Sequence, residues 1–117
     1  MAGCNEDAGC DFAVNVLGTN YVVTQSNEVE TPTLKECDGF CDVTVKKIVL
    51  CDIAPRIDSV EDLGEYSKKV LRHELVHAFA YESGLGHNAW ANNEEIVDWI
   101  AIQFPKMLKV FENAKCL

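Results

Sequence analysis

The apolar positions of this chain follow two different periods, a short one in residues 12–52 and a helical one after it. Phe12–Leu17 is a short apolar run and Tyr21–Thr24 is another, with the turn residues Gly18–Asn20 between them. Two short runs around such a turn predict a pair of antiparallel strands, that is, a β-hairpin.

The next apolar run is the longest in this half. Residues 25–36 are polar and predict a loop that could also complete a strand, and Asp38-Gly39 marks a turn. Phe40–Asp52 is rich in β-branched residues and predicts a strand, in which Lys46 and Lys47 mark an exposed or edge portion.

A helix is predicted from about residue 60 to about residue 84. Ser59 suits the N-cap position, and Gly84 and Gly86 suit a stop in the left-handed conformation. Apolar residues occur on nearly every face of this helix between residues 70 and 80. Such a helix is expected in the middle of the domain.

A second helix is predicted to begin near Asn92 or Asn93. Pro105 lies inside its pattern and is expected to kink or interrupt it, and Trp99 is expected in the core. The helix carries an apolar stripe at i, i+3, i+4 spacing, made of Val97, Ile100, Ala101, Phe104, Leu108 and Phe111.

Strands followed by helices predict an α+β fold, with a small, mostly antiparallel sheet packed on two helices. The length of 117 residues fits a single domain over 1–117, in which the polar residues 1–10 are expected to be poorly ordered.

Charge and composition restrict the partners. The net charge of −9 argues against binding of nucleic acid and would attract a basic peptide. The alternative is that the charge only keeps the protein soluble. No apolar run approaches the roughly 20 residues of a membrane span, and the N-terminus resembles no secretory signal, so an intracellular, cytoplasmic protein is expected. The six cysteines are therefore predicted to be free thiols, with Cys51 buried in a strand.

His73-Glu74-Leu75-Val76-His77 places the sequence His-Glu-x-x-His on the first helix. Residues four apart share one face of a helix, so the two imidazoles can bind one metal ion. Glu74 directly follows the first histidine, where a general base for water is needed. The pattern predicts a Zn²⁺ site, for which the alternative is a pair of core histidines satisfied by carboxylates alone.

A third ligand is expected from the second helix. Glu94 and Asp98 are four apart, hence on one face, and Glu94 lies beside the stripe centred near Val97 and Ala101. Glu95 lies more than a quarter-turn further round the helix.

His-Glu-x-x-His followed by Asn-Glu-x-x-x-Asp resembles the gluzincin metallopeptidases over roughly residues 70–105. The resemblance implies a zincin-like fold, Glu94 as the third zinc ligand, and Asp98 as the carboxylate that orients a ligating histidine. The chain also looks like short phage and bacterial metallopeptidases of the ImmA/IrrE group, and alignment on their pattern could select Glu95 instead. That likeness implies a regulatory peptidase of phage or mobile-element origin.

The resemblance has departures. Glu94 follows His77 by only 17 positions, and no second domain is expected to close over a substrate. The sequence leaves the oxyanion-stabilising residue open among His87, Tyr81 and Tyr66. In the zincin-like fold that the resemblance implies, an edge strand at residues 43–51 would pair with an extended peptide substrate. The alternative is that Lys46 and Lys47 only protect an exposed edge. A non-catalytic zinc-binding module and a latent protease remain as alternatives to the active peptidase.

Overall fold

The computed structural model describes residues 11–52 and 63–117. The expectations for residues 1–10, for the Ser59 cap and for the helix before residue 63 lie outside these residues. The elements in chain order are β1 (Phe12–Val16), β2 (Thr19–Ser26), a 3₁₀ turn (Pro32–Lys35), β3 (Gly39–Asp42), β4 (Lys47–Cys51), α1 (Leu63–Ala80) and α2 (Glu94–Asn113).

The predicted N-terminal hairpin is confirmed. β1 and β2 pair antiparallel, with Val16 opposite Thr19, so the turn consists of Leu17 and Gly18 rather than of the predicted Gly18–Asn20. Both turn residues have positive φ values, 51° and 97°. Two residues in that conformation form the turn that best matches the twist of a two-stranded hairpin, and Gly18 adopts it without steric cost.

The single strand predicted over Phe40–Asp52 is wrong. This segment folds back on itself as the antiparallel hairpin β3–β4, with residues 43–46 as its loop. The carboxylate of Asp42 accepts a hydrogen bond from the Thr44 backbone N–H at 3.0 Å, and Lys46 has a φ of 58°. This local Asp-based turn outweighs the β-propensity of the valines in the loop.

The sheet order is β1-β2-β4-β3, so β4 is a central strand and the edge on this side is β3. β4 pairs parallel with β2 and antiparallel with β3. The predicted α+β class is confirmed as a four-stranded sheet with two helices. The sheet is mixed, with two antiparallel pairings and one parallel pairing at its centre.

The core lies between the sheet and α1. Alternate residues of the two central strands point to the helix, where each fully buried apolar side chain contributes roughly 1.5–3 kcal/mol. The buried cluster consists of Val16, Tyr21, Val23, Ile48, Leu50, Val70 and Ala78. β3 begins at Gly39, directly beneath α1. A Cβ at this position would come within 2.9 Å of Val70 Cγ1, so the close approach requires glycine.

α1 lies between the sheet and α2, and most of its side chains are buried or half-buried. Phe79 is exposed, so the expectation of burial on every face is only partly right. The helix ends at Ala80 and a wide turn follows over Tyr81–Leu85. Gly84 has a φ of 90°, as predicted for a left-handed stop, whereas Gly86 has a φ of −60°.

α2 begins after Asn93, whose side chain accepts hydrogen bonds from the backbone N–H groups of Glu95 and Ile96. The predicted start is therefore confirmed. Val97 and Ala101 of the predicted stripe are buried, whereas Trp99 is 51% exposed, contrary to its expected place in the core.

The second half of α2 differs from the first. Phe104, Leu108 and Phe111 of the predicted stripe are exposed. The helix continues through Pro105 without a break. Within residues 11–52 and 63–117, neither helix combines the length and apolarity needed to cross a bilayer.

Glu82 ties the turn after α1 to both hairpins. Its carboxylate accepts hydrogen bonds from Thr19 Oγ1 at 2.9 Å, Tyr21 OH at 2.7 Å and Lys46 Nζ at 2.8 Å. Those three hydrogen bonds, with that from Lys46 the strongest, lower the pKa of Glu82 to about 2. Lys46 therefore anchors the end of α1, which corrects its expected role as an edge lysine.

We expect the Glu82→Gln variant to be less stable than the wild type at neutral pH, because the ion pair with Lys46 is lost. The pKa of Glu82 is depressed in the folded state, so its contribution is present above about pH 4.5 and is lost as pH falls towards 2. Chemical denaturation at several pH values measures the difference in the free energy of unfolding. The exposed Glu28→Gln variant is the control, and a difference that does not shrink at low pH would contradict the assignment.

Candidate metal centre

A cleft of about 730 Å³ lies between β3, α1 and the beginning of α2. Its wall includes His73, Glu74 and His77 from α1, and Glu94 and Asp98 from α2. The sequence-predicted residues are thus brought together at one place, although they come from two helices separated by the 81–93 connection.

His73 and His77 lie one turn apart on α1, as the helical spacing predicted. Their ring centroids are 5.1 Å apart, and both side chains are mostly buried, with 16% and 17% exposed. Burial, the largest influence, lowers the pKa of His77. A lowered pKa favours the neutral imidazole, which is the form that binds metal ions.

Glu94 completes a three-residue group with the two histidines. Its Oε2 atom lies 2.7 Å from His73 Nε2, and its Oε1 atom lies 3.0 Å from His77 Nε2. One donor atom from each residue falls within 4.8 Å of the others, so the group could hold a metal ion. Ligands about 2.1 Å from one tetrahedral ion are about 3.4 Å apart, so these separations fit a shared ion after small side-chain adjustments.

Glu95 does not reach this group. It is exposed in the first turn of α2, where its backbone N–H donates to the Oδ1 atom of the N-cap residue Asn93 at 2.9 Å. Adjacent residues on a helix are rotated by about 100°, so only one of the two glutamates can face α1. The structure brings Glu94 to the imidazoles.

Asp98 lies one turn after Glu94 and holds the other nitrogen of His73. Its Oδ1 atom is 2.9 Å from His73 Nδ1 and 3.2 Å from Lys69 Nζ. Burial acts to raise the pKa of Asp98, but hydrogen bonds from His73 and Lys69 outweigh it and lower that pKa. An ionised Asp98 that accepts the Nδ1 proton orients the His73 ring so that its Nε2 atom faces Glu94.

Glu74 is the only buried charged residue among those the structure describes, with 8% of its surface exposed. Burial and the neighbouring Glu94 raise the pKa of Glu74 to about 7, against the opposing effects of His73 and Lys69. A carboxyl group with that pKa can accept and return a proton near neutral pH.

The three candidates for stabilising an oxyanion, Tyr66, Tyr81 and His87, all line the cleft. The hydroxyl of Tyr66 donates a hydrogen bond to Asp38. This bond is the main reason that the pKa of Tyr66 is raised to about 12. The Tyr81 ring lies 4.6 Å from Lys46 Nζ, and His87 is exposed on the connection.

Two cationic residues near the site belong to no recognisable sequence motif. Lys69 lies one turn before His73 on α1 and bonds Asp98, with its Nζ 5.1 Å from the Tyr66 ring centroid. Arg72 donates from Nε to the backbone oxygen of Ala101 in α2 at 2.6 Å. The four-residue spacing from His73 is the only sequence signal for Lys69. The contacts of Lys69 and Arg72 depend on how the two helices pack together.

Two cysteines also line the cleft, Cys37 before β3 and Cys41 within it. The pKa of Cys41 is raised to about 12, first by burial and then by Glu74, so its thiol stays protonated at neutral pH. Cys37, Cys41, Cys51 and Cys116 are free thiols, and Cys51 is half-buried rather than buried. Cys4 and Cys10 lie outside the described residues.

No protein-family model, no curated protein and no solved structure matches this chain. The resemblance to gluzincins therefore depends on the motif residues alone, and the chemistry of the site has to be argued from its own geometry.

We expect the Glu74→Gln variant to be more stable than the wild type when both are free of metal. The pKa of Glu74 is raised in the folded state, so ionisation destabilises the fold progressively between about pH 4.5 and pH 7. Above that range the variant should gain about 1–2 kcal/mol, since solvent in the open cleft screens part of the shift. Chemical denaturation at pH 4 and pH 8 in the presence of a chelator measures this gain.

The exposed Glu95→Gln variant is the control, because it removes the same charge 21 positions later without a buried carboxyl group. Equal stability of Glu74→Gln and wild type at pH 8 would contradict the assigned environment of Glu74.

Proposed function

We propose that this protein is a zinc-dependent metallopeptidase of gluzincin-like type, with Glu74 as its general base. One observation carries the proposal. A buried carboxyl group with a pKa of about 7, that of Glu74, lines the same cleft as a His73–His77–Glu94 group that could hold a metal ion. A structural metal site has no need for such a base beside its first ligand.

His73, His77 and Glu94 would hold Zn²⁺, since two imidazoles and one carboxylate are a donor set typical of catalytic zinc. Zn²⁺ in such a site lowers the pKa of water to about 7 and polarises a carbonyl oxygen. Asp98 keeps the His73 ring in the orientation and tautomer that ligation requires, and Lys69 keeps Asp98 ionised.

Glu74 would accept a proton from the attacking water and later pass it to the leaving amine. Its burial supports this role, because a carboxylate in water would have a pKa near 4.5 and would be a weaker base. The neighbouring charges of His73 and Lys69 prevent burial from raising the pKa of Glu74 further.

The substrate would be a peptide segment in an extended conformation. Phe40 and Cys41 of the edge strand β3 line the cleft, and β3 pairs with β4 on its other side. Within residues 11–52 and 63–117, β3 has no strand on its outer side, and such an edge beside the site can bind a peptide backbone as an added strand. The net charge of −9 favours basic segments.

We expect the reconstituted wild type to bind one zinc ion per chain with His73, His77 and Glu94 as ligands. His73→Ala and Glu94→Ala should lose stoichiometric zinc, whereas Glu95→Ala should retain it, because Glu95 is not part of the donor group formed by His73, His77 and Glu94. Elemental analysis after dialysis measures the content. Zinc retained by Glu94→Ala and lost from Glu95→Ala would reverse the ligand assignment, and a wild type without zinc would refute the site.

We expect Glu74→Gln to retain zinc and to lose peptide hydrolysis by a factor of about 10²–10⁴, because a positioned general base contributes that much. Cleavage of a proteome-derived peptide library, followed by mass spectrometry, compares the variant with the wild type. Full activity of Glu74→Gln would refute the mechanism. Zinc binding with no cleavage by the wild type would favour a non-catalytic module instead.

A further inference from the structure

The carbonyl group of Ala101 lacks its usual partner within α2. In an α-helix the backbone N–H of residue i bonds to the carbonyl oxygen of residue i−4, so Ala101 would be bonded by residue 105. Residue 105 is proline, which has no N–H. Ala101 is fully buried, and an unsatisfied carbonyl group there would be costly.

Arg72 of α1 supplies the missing donor. Its Nε atom lies 2.6 Å from the Ala101 oxygen, in a partly buried setting between the two helices. A hydrogen bond from a charged donor is stronger than one between neutral groups. Pro105 thus leaves an acceptor on the helix surface, and the neighbouring helix uses it.

We propose that Arg72 and the carbonyl group of Ala101, which Pro105 leaves without a donor in α2, form a register clamp that positions Glu94 and Asp98 opposite His73, an inference that rests on the metal site of the proposed function. Arg72 is adjacent to His73 on α1. Ala101 follows Asp98 by three residues and Glu94 by seven, so all three share the face of α2 that meets α1.

Apolar contacts alone do not define the register of α2, because they are not directional. The other directed contacts between the helices, from His73 and Lys69, both end on the Asp98 side chain, which is 38% exposed. The buried apolar residues of α2 are Val97 and Ala101, and the exposed Phe104, Leu108 and Phe111 add little beyond them. A slip of α2 by one turn would move it by about 5.4 Å. That movement would take Glu94 out of reach of both imidazoles, and a directed bond to one backbone oxygen opposes it.

The test measures the affinity for Co²⁺ and Zn²⁺ of the wild type, Arg72→Met, Pro105→Ala and the double variant. Arg72→Met removes the donor and keeps an apolar side chain. The alanine at 105 in the double variant restores an N–H for the Ala101 oxygen, so stability should return without the bond between helices. Lys68→Met, which removes an exposed cation one turn away, is the control.

We expect Arg72→Met to bind both metals about tenfold more weakly or worse, since groups that orient ligands contribute 10–100-fold. Pro105→Ala should bind as the wild type does, because a carbonyl oxygen has two lone pairs and Arg72 can still donate. The double variant should recover thermal stability but not metal affinity. Recovery of both would overturn the clamp and leave Arg72 as a partner for a buried carbonyl group alone.

A readout in the metal-free protein keeps this result separate from the proposed function. NOE cross-peaks between the His73 ring protons and the Asp98 β-protons report the helix register directly. They should be present in the wild type and Lys68→Met, and absent from Arg72→Met and the double variant. Their persistence in the double variant would overturn the clamp, whereas a wild type that shows them but binds no metal would refute the metal site alone.

Discussion

The packing of α2 against α1 is the constraint on which the candidate site depends. α1 carries two imidazoles and a buried carboxyl group, and α2 carries the two carboxylates that face them. Neither helix alone has a three-residue donor group. The contact is specified by directed bonds, from His73 and Lys69 to Asp98 and from Arg72 to the Ala101 oxygen. Small shifts along either helix axis would separate the donor atoms.

Two glutamates show how the fold uses one kind of side chain for opposite purposes. Glu82 is surrounded by the donors of Thr19, Tyr21 and Lys46, so its pKa falls to about 2 and it stabilises the fold as an anion. Glu74 is buried beside a second carboxylate, so its pKa rises to about 7 and its charge destabilises the fold. The first holds the end of α1 to the sheet, and the second lines the cleft beside His73 and His77.

The sheet topology decides which strand lines the cleft. Because β4 lies at the centre of the sheet, its hairpin partner β3 becomes the edge strand and lines the cleft. Gly39 lets β3 approach α1 closely, since any side chain there would meet Val70 and the Val49 oxygen. The edge strand β3 and the donor group therefore border the same cleft.

Features that depend only on residues close together in the chain could be predicted from the sequence. These are the first hairpin, the pairing of His73 with His77 on one helix face and the Asn93 cap, because turn geometry and helical period are short-range. Other features became visible only in the folded structure. Trp99 is exposed, and a loop at residues 43–46 divides the predicted strand. Glu94 rather than Glu95 approaches the two imidazoles, and Arg72 bonds to the Ala101 oxygen. Each of these depends on which elements pack together, and residues far apart in the chain supply those contacts.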